Sequence, residues 1–213
     1  MINIADIRKD YKLKSLSETD IESNPILQFS KWWDEAMKSE IDEVNAFTLA
    51  TASPEGKPSA RIVLLKGFDA RGFVFFTNYE SNKGILIANN PNASMVFFWK
   101  ELQRQVRIDG IVEKTSAAES DAYFTTRPAG SRIGAWASPQ SKVVNAREEL
   151  ENKFSDYELK FSEKNIPRPP FWGGYRIQPQ LIEFWQGRQN RLHDRIQYRL
   201  QKDNSWKIER LAP

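Results

Sequence analysis

The densest run of reactive side chains is Gln186-Gly187-Arg188-Gln189-Asn190-Arg191-Leu192-His193-Asp194-Arg195. Gly187 to Asn190 has the composition of a turn, and an extended segment after it would alternate Arg191, His193 and Arg195 onto one face. Two guanidinium groups beside an imidazole suit an anionic ligand, because their planar donors match carboxylate or phosphate oxygens. A solvated strand face has the same spacing. Tyr123 and Arg127 stand four apart on an expected helix, hence on one face, and Ser131 follows just beyond Pro128. Those are groups that surround a phosphate, and equally those of an ordinary amphipathic surface helix. Ser81-Asn82-Lys83 opens another expected helix, where free backbone N–H groups and a lysine form a phosphate seat or simply a capped helix start. In Arg61-Ile62-Val63-Leu64-Leu65-Lys66 the two charges, five positions apart on a strand, point to opposite faces. They serve two different ligands, or one of them reaches out to solvent.

Much other chemistry is excluded. The chain has no Cys and one His, so there is no thiolate nucleophile, no disulfide framework and no usual zinc ligand set, and no metal site is expected. His193 has no Gly-x-Ser-x-Gly elbow to partner it. Neither a Gly-x-Gly-x-x-Gly fingerprint nor a Walker loop is present, which disfavours nicotinamide binding on a Rossmann unit. With so few reactive side chains, difficult chemistry falls to a bound organic cofactor. The net charge of +3, from 31 basic and 28 acidic residues, is too balanced to demand nucleic acid. Residues 1–13 carry charges throughout and form no signal peptide, and no apolar run approaches the roughly 20 residues of a membrane span. The expectation is a soluble, cytoplasmic protein.

These groups need elements to hold them. Residues 1–22 are polar and aperiodic, an N-terminal arm, followed by a single domain over 23–213. Asn24-Pro25 opens a helix whose apolar face is Ile26, Phe29, Trp33 and Met37. Strands are expected at 46–52, 59–66, 73–77, 93–99 and 103–113, with a loop at 67–72 and a helix at 81–88. Ser116 and Glu119 form a capping box for a helix that Pro128 ends. A longer helix covers 143–162, with Leu150, Phe154, Tyr157 and Phe161 on one stripe. Strands return at 174–178, 181–186, 191–200 and 205–210. Consecutive strands with few helices between them make an antiparallel barrel, and the fold class is α+β with helices packed outside. Thirteen Phe and seven Trp supply its core.

Several of these stretches match one family together. Ile182-Glu183-Phe184-Trp185-Gln186, four residues, then Arg191-Leu192-His193-Asp194-Arg195 resembles the signature of the pyridoxine 5′-phosphate oxidase family. So do the ending Trp206-Lys207-Ile208-Glu209-Arg210-Leu211-Ala212-Pro213, the run from Arg61 to Lys66, Arg104-Gln105-Val106, Arg127-Pro128 with Ser131 and Ile133-Gly134-Ala135-Trp136, and Phe171-Trp172-Gly173-Gly174. The correspondence holds in order and spacing from about Ile7 to Pro213. The resemblance implies an FMN-binding split β-barrel homodimer, with two FMN sites at the subunit interface. Arg61 and Lys83 would hold the flavin phosphate. Gln105, Gln140, Ser141, Trp185 and Arg195 would line the rest of the flavin, with backbone from Val63, Leu64, Phe76 and Thr77. Lys66, Tyr123, Arg127 and Ser131 would grip the substrate phosphate. Arg191 and His193 would sit over the pyridine ring as the catalytic pair, and Arg8 with Tyr11 would form a lid.

The implied reaction oxidises pyridoxine 5′-phosphate or pyridoxamine 5′-phosphate to pyridoxal 5′-phosphate. Dioxygen is the acceptor, and hydrogen peroxide, with ammonia from the amine, is released. The sequence departs from the family at Asn82, where Arg is common, at Thr125, where His is frequent, and at Arg132, where Gln is frequent. Three other readings compete: a split-barrel flavin reductase-like protein with another substrate, a non-catalytic pyridoxal phosphate carrier, and a nucleic-acid module using basic strands interleaved with aromatics.

Overall fold

A computed structural model describes residues 3–4, 10–161 and 165–213, so the expected lid residue Arg8 lies outside the described residues. Asn24 caps the first helix, α1 (Pro25–Met37), its side-chain oxygen accepting from the Ile26 and Leu27 N–H groups. The buried face is not the expected one. Gln28, Phe29, Trp32 and Ala36 are buried, whereas Met37 is exposed. A row stepped by four residues drifts by about 40° per step around a helix of 3.6 residues per turn, which carries position 37 off the stripe.

The strands are β1 (Ala46–Ala52), β2 (Pro58–Leu64), β3 (Gly67–Asp69), β4 (Gly72–Asn78), β5 (Asn92–Trp99), β6 (Arg104–Lys114), β7 (Trp172–Gln186), β8 (Asp194–Leu200) and β9 (Trp206–Leu211). Between them lie helices α2 (Asn82–Asn89), α3 (Ala117–Thr126), α4 (Ala129–Ala137) and α5 (Arg147–Phe161). The sheet order is β2-β1-β5-β6-β7-β4-β3, with β8 paired to β7 and β9 to β8. The β3–β4, β4–β7, β7–β8 and β8–β9 pairings are antiparallel, as the clustering of strands in sequence predicts.

Five differences from the sequence reading have physical causes. The stretch 67–72 is not all loop, since β3 pairs with β4 and stacks Phe68 on Phe73. The two strands expected at 174–178 and 181–186 are one. Pro179 falls between the β4 ladder, which ends at Ile177, and the β8 ladder, which starts at Leu181, so neither loses a bond to its missing N–H. Pro128 ends α3 but also starts α4, a helix hidden in the sequence by Gly130 and Gly134. The helix expected over 143–162 begins at Arg147, and Val143 is fully exposed. Finally, the segment after Asn190 is not extended. Residues Gln189–Arg191 form a 3₁₀ turn in which Asn190 and Arg191 have φ of 55° and 60°, so β8 begins only at Asp194 and Arg191, His193 and Arg195 do not alternate along one strand.

The chain forms two compact units. Met1–Leu49, Ser94–Gly110 and Pro179–Pro213 make the first, and Ala50–Ala93 with Ile111–Gln178 the second. The first buries Phe29 against Phe97, and Trp32 edge-on to Phe184, which in turn meets Tyr198. The second buries Phe75 beside Tyr175, and a further cluster of Phe124, Ile133, Ile166 and Trp172 on which Phe154, Tyr157 and Phe161 of α5 pack. No helix among the described residues is long and apolar enough to cross a membrane.

Candidate functional site

The second unit contains a cavity of about 540 Å³. Ten of the residues singled out from the sequence line it: Val63, Leu64, Lys66, Phe76, Thr77, Lys83, Tyr123, Arg127, Ser131 and Gln140. Trp172, Thr126, Pro128 and Ile62 line it as well, and the sequence reading had assigned none of them to a ligand. Strand β4 brings Phe76 and Thr77, and α3 brings Tyr123, whose ring stacks on Phe76 with centroids 3.9 Å apart. Arg127 ends α3 in an extended conformation and lays its guanidinium over Trp172 at 4.6 Å. Burial pulls the Arg127 pKa down, against the opposing effect of Tyr123. Its Nη1 is buried with no hydrogen-bond partner among the described residues. A buried donor left unmatched costs about 1–3 kcal/mol, more when charged, and an anion in the cavity would recover it.

A second cationic seat is formed by α2. Ser81 caps this helix, accepting from the Gly84 N–H, and Gly84 is required there because a Cβ would lie 2.1 Å from the Tyr79 carbonyl oxygen. The tight turn sets Lys83 on the first helical turn. Its Nζ donates to Thr77 Oγ1 at 3.2 Å and to Gln140 Oε1 at 3.1 Å, both neutral acceptors. Its pKa is lowered, first by burial and then by the nearby charge of Arg61. Arg61 itself donates to the hydroxyls of Thr51 and Ser59. Two neighbouring cations, one of them bonded to neutral oxygens and depressed by the other, fit the phosphate of FMN, whose charge would relieve their repulsion. Asn82 is exposed on the same turn, and Ser141, next to Gln140, is exposed with φ 70°.

The first unit carries the remaining predicted residues. Gln105 is half-buried on β6, and Trp185 on β7 pairs in register with Arg195 on β8. Arg191, in the left-handed conformation, is exposed, and His193 follows it. The His193 ring lies 4.6 Å from Trp185 and 5.9 Å from Tyr11, which also meets Trp185 edge-on. His193 Nδ1 accepts from the Arg188 N–H at 3.1 Å. In the neutral imidazole that leaves the proton on Nε2. Partial burial and the Arg191 charge lower the His193 pKa, against Asp194.

The arm residues from Lys12 onward are stapled beside this cluster. Gln103, with φ 54°, accepts the Lys12 and Leu13 N–H groups on its side-chain oxygen, and Asp194 accepts that of Leu16. Tyr11 itself sits on Gly187, where a Cβ would come within 2.7 Å of the tyrosine ring.

One further residue was legible only as part of a motif. Glu183 is 3% exposed, and its two oxygens accept from Arg195 Nε at 2.7 Å and Arg107 Nη2 at 2.9 Å. Burial alone would raise its pKa, but the hydrogen bonds and charges of the two arginines outweigh that and lower it.

Known proteins share this sequence and architecture. Residues 33–161 match the family described as Pyridoxamine 5′-phosphate oxidase, and residues 172–213 match the Pyridoxine 5′-phosphate oxidase C-terminal dimerisation region. A pyridoxine/pyridoxamine 5′-phosphate oxidase of Cyanothece sp. (strain PCC 7425 / ATCC 29141) is 59% identical, covering 100% of this chain and 99% of that protein. The protein of the same name from Cupriavidus metallidurans is 57% identical, with 100% of both chains covered. Among solved structures, PhzG from Burkholderia lata 383 superposes with a TM-score of 0.88 at 31% identity, covering 94% of this chain and 99% of that one. A pyridoxamine 5′-phosphate oxidase-related, FMN-binding protein from Nostoc punctiforme shares the fold, with a TM-score of 0.71 at 18% identity over 91% of this chain and 100% of that one. With one family spanning most of its length and relatives matching it from end to end, the chain belongs to the pyridoxamine 5′-phosphate oxidase family.

Proposed function

We propose that this chain, as an FMN-bearing homodimer, oxidises pyridoxine 5′-phosphate or pyridoxamine 5′-phosphate to pyridoxal 5′-phosphate in the cytoplasm, passing electrons to dioxygen. The observation that carries this reading is the pair of cationic seats in the second unit: Lys83 with Arg61, and Arg127 with Lys66, Tyr123 and Ser131. Two phosphate-bearing ligands, cofactor and substrate, account for both. Bound FMN supplies the two-electron redox chemistry that no side chain here provides.

The protein's own residues bind and orient. Arg61 and Lys83 hold the flavin phosphate, with Thr77 and Gln140 fixing the lysine, while Gln105, Ser141, Trp185 and Arg195, and the backbone of Val63, Leu64 and Phe76, line the rest of the flavin. Arg127, kept in a fixed plane by Trp172, grips the substrate phosphate with Lys66, Tyr123 and Ser131, so that binding energy far from the reacting carbon aligns it. Neutral His193 offers its Nε2–H to a ligand oxygen, and Arg191 orients the substrate and balances charge at the reacting group. Tyr11 covers this side and excludes water.

Anaerobic mixing of the protein with FMN and either substrate tests the proposal. The flavin band should bleach, then return on admission of air with hydrogen peroxide and the aldehyde absorbance. Flavin that binds but is bleached by neither substrate would refute the substrate assignment, including by a carrier that merely takes up pyridoxal phosphate.

A further inference from the structure

We propose that Glu183 is a positioning residue for the cofactor, acting through Arg195. The inference rests on the reading of Arg195 as a flavin ligand. In an antiparallel pair, the residue two before a cross-strand partner is its diagonal neighbour on the same face. Trp185 pairs with Arg195, so Glu183 lies diagonally beside that arginine. Buried carboxylates are uncommon, and as stabilisers they seldom outperform an apolar side chain of similar volume. This one is divided between two arginines, one oxygen to each. Arg107 is held in turn by Asp109 at 2.7 Å, which fixes the far side of the carboxylate.

Arg195 is restrained at two points of its planar head. Nε donates to Glu183 Oε1, and Nη1 donates to the Ala212 carbonyl at 2.8 Å. A guanidinium is rigid and flat, so fixing Nε and Nη1 fixes the direction of Nη2. Glu183 therefore sets where Arg195 points its remaining donors, and it does so from a position that need not touch the ligand. A bland alternative is a cross-strand tie that only stabilises the sheet.

A double-mutant cycle separates the two. The FMN dissociation constant of the full-length protein is measured by flavin fluorescence for wild type, Glu183→Gln, Arg195→Ala and the double variant. If Glu183 acts through Arg195, Glu183→Gln weakens FMN binding by about tenfold, the scale of one charge-assisted hydrogen bond, and adds no further loss in the Arg195→Ala background. An unchanged dissociation constant in Glu183→Gln, or an equal loss in both backgrounds, overturns the proposal. Should Glu183→Gln not fold, Glu183→Asp retains the charge but withdraws it by one methylene. FMN binding should then weaken while the melting temperature of the apoprotein stays near wild type, and unchanged binding overturns the proposal. Wild-type protein that binds no FMN would instead refute the reading of Arg195 as a flavin ligand, and this inference with it.

Discussion

His193 is the chain's single histidine, so its imidazole resonances can be followed without assignment ambiguity. Burial and the charge of Arg191 hold its pKa below the ordinary 6.5, so the midpoint of its NMR titration should fall under that value. Arg191→Gln should move the midpoint upward, and a midpoint at or above 6.5 in the wild type would contradict the geometry. The sense for stability follows. The unfolded chain binds this proton more readily, so the contribution of neutral His193 is complete above pH 6.5 and is lost as pH falls through the lower folded value. Arg127→Ala should raise KM for either phosphorylated substrate roughly 10- to 100-fold, the equivalent of a charge-assisted bond of about 1.5–3 kcal/mol, and leave FMN affinity near wild type. Steady-state kinetics beside a flavin titration checks both halves. Tyr123, Arg127 and Ser131 were readable in the sequence as one group because a helix and the turn after it keep them close, whereas Lys66 joins them in the cavity from just past the end of β2. Glu183 and Trp172 were not, since their meaning lies in distant partners such as Arg107, 76 positions away from Glu183.

The helix α2 shows how a short element carries a site. Gly84→Ala would drive a methyl group into the Tyr79 backbone and push the first turn, with Lys83, off its seat. Overpacking of this kind costs about 1–3 kcal/mol, so the melting temperature should fall by several degrees and FMN binding should weaken together. An unchanged melting temperature would show that the turn accommodates the methyl group. Helix starts and turns of this type were legible in advance: Asn24, Ser81 and the Ser116–Glu119 box cap as their sequences dictate. The 3₁₀ turn at Gln189–Arg191 was not, because Asn190 and Arg191 take left-handed φ one after the other and no glycine announces it. That one turn decides whether Arg191 and His193 lie in line along a strand, and it places them otherwise.

Over the whole molecule, distant chain segments meet in the first unit, which joins residues of the arm, the 94–110 segment and the C-terminal strands. The carbonyl of Ala212 holds Arg195, so deletion of Ala212 and Pro213 should raise the FMN dissociation constant several-fold with little change in melting temperature. Unchanged FMN binding would show that the chain end is dispensable. The arm is tied down as firmly, by Lys14 to Glu35, by Glu35 to the buried Arg104, and by Arg210 to Glu18 and the Leu16 carbonyl. The seat of Tyr11 on Gly187 has an evolutionary corollary. As long as a ring lies on that backbone, position 187 is closed to every side chain, and as soon as the ring is lost the position is released. Across relatives the two sites should therefore drift as a pair: lineages that shed the arm's tyrosine are where non-glycine residues should first accumulate at 187.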